Sequence, residues 1–76
     1  MQAEITVKGR VQGVFFRSHG KRQAQKLGLA GWIKNEPDGS VRICVQGPLK
    51  AINDFAQWCR SGPPGASIDK VEIIQT

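Results

Sequence analysis

Ala30-Gly31-Trp32-Ile33-Lys34-Asn35-Glu36-Pro37-Asp38-Gly39-Ser40-Val41-Arg42-Ile43-Cys44-Val45-Gln46 carries the pattern that decides the architecture. Val41, Ile43 and Val45 alternate with Arg42, Cys44 and Gln46, the two-residue period of a strand with one buried face. Ala30 to Asn35 reads as a second short strand. The Glu36-Pro37-Asp38-Gly39 segment between them is turn chemistry, because Pro presets the first central position and Gly accepts a positive φ. Together they predict a hairpin. Residue parity sets Trp32 opposite Ile33, partly exposed on the sheet face away from the helices, and sets Cys44 on the face opposite the core stripe.

Upstream of the hairpin, Ala3, Ile5 and Val7 alternate with Glu4, Thr6 and Lys8, predicting a strand that Gly9 to Gly13 breaks. A helix follows from about Phe16 or Ser18 to Leu27, with Gly28 as its left-handed C′ residue and Leu29 as the apolar partner beyond it. Gly20 inside that helix costs about 0.8–1 kcal/mol relative to Ala, and close packing near the loop is the compensation it suggests. Downstream, Gly47-Pro48 opens a second helix whose Leu49, Ile52, Phe55, Ala56 and Cys59 form one apolar face. Ser61-Gly62-Pro63-Pro64-Gly65 ends it, and Ile68 to Ile74 forms the last strand, with Val71 and Ile73 inward. Strand, helix, strand, strand, helix, strand predicts a ferredoxin-like βαββαβ α/β sandwich, an antiparallel four-stranded sheet with two helices on one face. That fold hosts enzymes, RNA binders and regulatory modules, so function has to be argued from a site.

Seventy-six residues suit one domain, 1–76, with a single core. A formal charge of +5 favours an anionic partner without choosing among nucleic acid, membrane and a small phosphate ester. Lys8, Arg10, Arg17, Lys21 and Arg22 fall in a stretch without Asp or Glu, which concentrates the positive field near one loop. Cys44 and Cys59 have no Cys-x-x-Cys spacing and are read as reduced thiols, neither a disulfide framework nor a zinc site. Met1-Gln2-Ala3-Glu4 begins directly with strand-like sequence, without a charged leader and apolar signal core, and no apolar run approaches a membrane span. The cytoplasm is the expected location.

Gly9-Arg10-Val11-Gln12-Gly13-Val14-Phe15-Phe16-Arg17 joins the first strand to the first helix. Backbone N–H groups in such a turn can converge on phosphate oxygens, and the helix start adds unsatisfied donors and partial positive charge. Arg17 supplies a forked, permanent cation that matches phosphate geometry. The glycine spacing is not that of a Walker loop, and no Gly-Lys-Ser/Thr follows, so nucleotide triphosphate binding loses support. On residue chemistry alone the segment reads equally well as a structural connection, and Asn35 as a turn residue bonding its own backbone.

That first stretch, followed by Leu27-Gly28-Leu29-Ala30-Gly31-Trp32-Ile33-Lys34-Asn35-Glu36-Pro37-Asp38-Gly39-Ser40-Val41, closely resembles the acylphosphatase family, as do Gly62-Pro63-Pro64-Gly65-Ala66 and Val71-Glu72-Ile73. The resemblance implies hydrolysis of an acyl phosphate to a carboxylate and inorganic phosphate, without metal or cofactor. It makes Arg17 and Asn35 the catalytic residues. It maps the phosphate-binding loop onto Gln12, Gly13, Val14, Phe15 and Phe16 through their main-chain N–H groups, together with Arg17. The expected partner is a small acyl phosphate, not nucleic acid or membrane. An acyl phosphate expels a weakly basic carboxylate, so the harder tasks are stabilising phosphoryl charge and aligning a water. Arg17 and the loop suit the first, and the Asn35 amide, which both donates and accepts, suits the second. Asn35 ends a strand expected beside the first, close to the loop. His19 receives no role.

Two other readings differ in class. RNA recognition on this element order needs exposed stacking aromatics on the third strand, and Ser40 to Gln46 has none. A catalytically silent module that binds an acyl or carbamoyl phosphate is the other. Acylphosphatases commonly continue past the fourth strand into a short C-terminal strand, whereas this sequence ends at Gln75-Thr76. The expectation is a monomer, with weak pairing through an uncovered sheet edge as the alternative.

Overall fold

The computed structural model describes residues 1–75. Its elements are β1 (Gln2–Arg10), α1 (Phe16–Lys26), β2 (Ala30–Asn35), β3 (Val41–Gln46), α2 (Leu49–Ser61) and β4 (Ser67–Gln75), in the predicted βαββαβ order. The four strands form one antiparallel sheet in the order β2-β3-β1-β4. β3 therefore lies between β1 and β2, and Asn35 ends an edge strand two positions from β1 rather than beside it. The register links them, since Val41 pairs with both Val7 of β1 and Asn35 of β2.

The inward faces of β1 and β3 supply the middle of the core, with Ala3, Ile5, Val7, Val41, Ile43 and Val45 all buried. Phe16 of α1 and Ile52, Phe55, Ala56 and Cys59 of α2 cover them. Trp58 joins the two helices, its ring centroid 5.2 Å from Phe16 and 5.8 Å from Phe55. Gly20 lies buried at the same junction, where an added Cβ would stand 2.8 Å from Ile33 Cδ1 and 3.5 Å from the Trp58 ring. The missing side chain lets α1 approach β2 and α2 closely, farther from the loop than expected. Burial pushes the Cys59 thiol up to about 12, so it remains protonated and inert in the core.

Several boundaries and faces differ from the sequence reading. β1 does not break at Gly9 but runs to Arg10, with a register shift against β4 between Lys8 and Gly9. Gly9 has φ of 132°, and a Cβ there would collide with the Ser67 carbonyl, so glycine permits this irregular pairing. Val11, just past the strand, is buried in the core. Leu49, expected on the apolar face of α2, is 43% exposed because it opens the helix beyond the edge of the core. Cys44 does lie on the outer sheet parity yet is only 7% exposed, paired between Glu4 and Trp32 on the neighbouring strands. The end of α1 follows expectation: Leu29 N–H donates to the Ala24 carbonyl at 2.9 Å and Gly28 N–H to that of Gln25 at 3.1 Å, a Schellman closure. Among the described residues, no helix is long and apolar enough to cross a membrane.

Candidate active site

β1 delivers the Val11–Phe15 connection to the end of the sheet where β2 stops at Asn35. Phe15 precedes α1 in the left-handed region, with φ of 60° and ψ of 28°, and its side chain is 75% exposed. A bulky residue in that region is uncommon, because its Cβ crowds the backbone. The conformation turns the chain sharply into the helix. No side chain caps α1 and its first turn holds no acidic residue; the first bond across the turn runs from His19 N–H to the Phe15 carbonyl at 3.0 Å. The leading N–H groups of the helix are therefore free of a capping oxygen, and the partial positive charge at this end is not offset locally.

A cleft of about 920 Å³ lies between α1 and β2, and Gly13, Phe15, Arg17 and Asn35 are among the residues that line it. The structure thus brings Arg17 and Asn35 into one concavity with the turn into α1. The remaining loop residues separate. Phe16 contributes backbone at the helix start while its ring is buried against Trp58, and Val14 packs against the core. Neither Gln12 nor Val14 lines the cleft, and His19 stays outside it.

Gln12 does something that the sequence reading did not assign to it. Its Nε2 donates to the Glu36 carbonyl at 2.8 Å and to the Ser40 carbonyl at 2.9 Å, tying the loop to the β2–β3 turn. The turn is itself closed by Glu36 N–H to the Ser40 carbonyl at 2.9 Å and Gly39 N–H to the Glu36 carbonyl at 3.1 Å. Ser40, also unassigned and buried, donates its hydroxyl to Asp38 Oδ1 at 2.6 Å and its N–H to the same oxygen at 2.9 Å. These bonds hold the Asp38 carboxyl below its ordinary value, the hydroxyl contributing most. The turn gains this support above the ordinary carboxylate range and loses it as pH falls through the lowered value. Asp38-Gly39-Ser40 signalled a turn, but nothing local in the sequence signalled a partner more than twenty residues away.

Removing the Gln12 brace leaves each carbonyl with its turn bond alone and cuts the tie between loop and hairpin. Gln12→Ala is expected to lower stability by about 1–2 kcal/mol, two net hydrogen bonds, read from urea unfolding. Gln12→Glu should be no better, because a carboxylate cannot donate. Stability unchanged in both variants would show that the brace does not hold the loop.

The arrangement can cradle one phosphoryl-sized anion between a cation and a helix start, with an amide at the rim. Comparison with known proteins gives the family. The acylphosphatase family model matches residues 3–76. An acylphosphatase of a Nocardioides species is 47% identical over 70 residues, spanning 92% of this chain and 71% of that one. The crystal structure of acylphosphatase from Bacillus subtilis superposes with a TM-score of 0.94 at 40% identity, over 96% of this chain and 81% of that one. Full-length HypF, in its phosphate- and nucleotide-bound form, also aligns with a TM-score of 0.90 at 33% identity, over 99% of this chain but 10% of its own. With matches in sequence over nearly the whole chain, and in the path of every strand and helix that shapes the cleft, the chain belongs to the acylphosphatase family.

Proposed function

We propose that this protein hydrolyses acyl phosphates, with the phosphoryl group held by Arg17 and the backbone N–H groups of residues 12–17, and the attacking water held by Asn35. The observation that carries the reading is that Arg17 and Asn35, from separate motifs and separate elements, line one cleft. Water oxygen forms the new bond to phosphorus as the bond from phosphorus to the acyl oxygen breaks. The carboxylate departs with that electron pair, and the water proton passes to a phosphoryl oxygen. The acyl carboxylate is a weak base, so no protein acid is required at the leaving oxygen. Charge on the phosphoryl oxygens is met by the guanidinium fork and the helix start, and positioning by the Asn35 amide.

Asn35 has no side-chain hydrogen bond within the protein among the described residues, so its amide is available to a water. Asn35→Ala is expected to lower kcat for benzoyl phosphate about a hundredfold while KM changes little, since the lost contact is to the water and not to the substrate. The assay is steady-state hydrolysis with a chelator present throughout, beside the wild-type protein. A folded Asn35→Ala variant of full activity would remove Asn35 from the mechanism, and wild-type activity abolished by the chelator would overturn the metal-free scheme.

A further inference from the structure

The cleft is longer than a phosphoryl group needs. From Arg17 to Gln25 it follows α1 for about 12 Å, and from Asn35 back to Ala30 it follows β2 for about 17 Å. Arg17, Lys21 and Gln25 stand four residues apart on α1, one stripe of the helix, and all three line the cleft. Among the described residues, Arg17 and Lys21 are its only charged lining residues, so two cations line the same space with no carboxylate between them.

Five cations elsewhere on the surface are neutralised locally. Lys8, Lys34, Arg42, Lys50 and Lys70 each have a carboxylate within ion-pair distance, at separations from 2.8 to 3.9 Å. Lys21 has none among the described residues, as is also true of Arg10, Arg22, Lys26 and Arg60, but of these five only Lys21 lines the cleft. Like charges at i and i+4 disfavour the helix that bears them, so this pairing weakens α1 unless an anion joins them. We propose that Lys21 forms a second anion subsite, and that the protein selects acyl phosphates whose acyl chain ends in a carboxylate or phosphate two or three carbons beyond the carbonyl. The inference rests on the hydrolase reading for the place of the phosphoryl group. With that group at Arg17 and water at Asn35, in-line displacement points the leaving carboxylate away from Asn35, along the cleft. Lys21 lies about 6 Å farther along the helix axis, within reach of a short acyl chain passing Ala24 and Ile33.

The test compares succinyl phosphate with its terminal methyl ester in the full chain at low salt, where exposed charges act at longest range. Wild type is expected to favour succinyl phosphate about tenfold in kcat/KM. Lys21→Gln should bring that ratio to about one, and Lys21→Arg should keep most of it. Lys26→Gln removes an equal charge from α1 outside the cleft and should leave the ratio unchanged. A wild-type ratio near one, or a ratio lost equally in Lys26→Gln, overturns the subsite. Calorimetric binding of the two non-hydrolysable phosphonomethyl ketone analogues separates this failure from failure of the hydrolase reading. Without turnover, a tenfold preference for the carboxylate analogue that Lys21→Gln abolishes still establishes the subsite, and equal binding by wild type removes it.

Discussion

Arg17→Ala is expected to lower kcat/KM for benzoyl phosphate about a thousandfold and to leave the fold intact. Loss of a single preorganised donor to a developing oxyanion costs about 10²–10³ in rate. Arg17 also supplies a full charge in a forked geometry, and cations that stabilise phosphoryl transfer are worth about 10³–10⁵. Both terms fall on substrate as well as transition state, so KM should rise while kcat falls, unlike the pattern expected at Asn35. Arg17→Lys keeps charge but not the fork and should recover only part of the loss. Arg17 is exposed and has no ion pair among the described residues, so its removal leaves no buried group unpaired. Steady-state kinetics with a thermal melt on the same samples checks both halves. A folded Arg17→Ala protein with near wild-type kcat/KM would take the phosphoryl group away from Arg17.

Phe55→Ala should have the opposite signature, a large loss of stability with the site unchanged in whatever remains folded. Phe55 is fully buried, on the helix that does not line the cleft, and its ring packs against Trp58. Truncating a buried Phe costs about 3–5 kcal/mol in transfer and cavity terms. A domain of this size has about 4–11 kcal/mol in total, and each kcal/mol moves the melting temperature by about 4–8 °C. A fall of about 20 °C is therefore expected by circular dichroism, with activity per folded molecule retained at low temperature. A fall under about 5 °C would mean that the space collapses around the missing ring.

The fold was legible because its signals are local. Two-residue alternation marks β1 and β3, helical spacing marks α2, and Gly28 followed by Leu29 marks the end of α1; each needs only its own neighbours. Gly9 misled for the same reason. A glycine beside charged residues reads as a break, and only the close passage of Ser67 on β4, nearly sixty residues later, turns it into an irregular strand position. Leu49 fits the helical stripe, but a stripe has ends, and its first member lies where no sheet stands opposite. At the site, Arg17 and Asn35 could be named because two stretches that resemble the acylphosphatase family carry them; residue chemistry alone left the loop as a possible connection and Asn35 as a turn residue. The brace from Gln12, the buried hydroxyl of Ser40 and the cleft beside Lys21 could not, since each depends on which segments the sheet order brings together.

The Gln12 brace also bears on when the site comes into being. Its acceptors lie 24 and 28 residues along the chain, so the anion loop reaches its final shape only once the β2–β3 hairpin has docked. On the proposed reading, an anion held there would have no such partner in the unfolded ensemble. Every increment of anion occupancy then adds to the free energy of unfolding the whole domain, growing with the logarithm of anion concentration above its dissociation constant. If the loop holds the phosphoryl group as proposed, the substrate would, in a chain this small, be in effect one of the elements that hold the fold together.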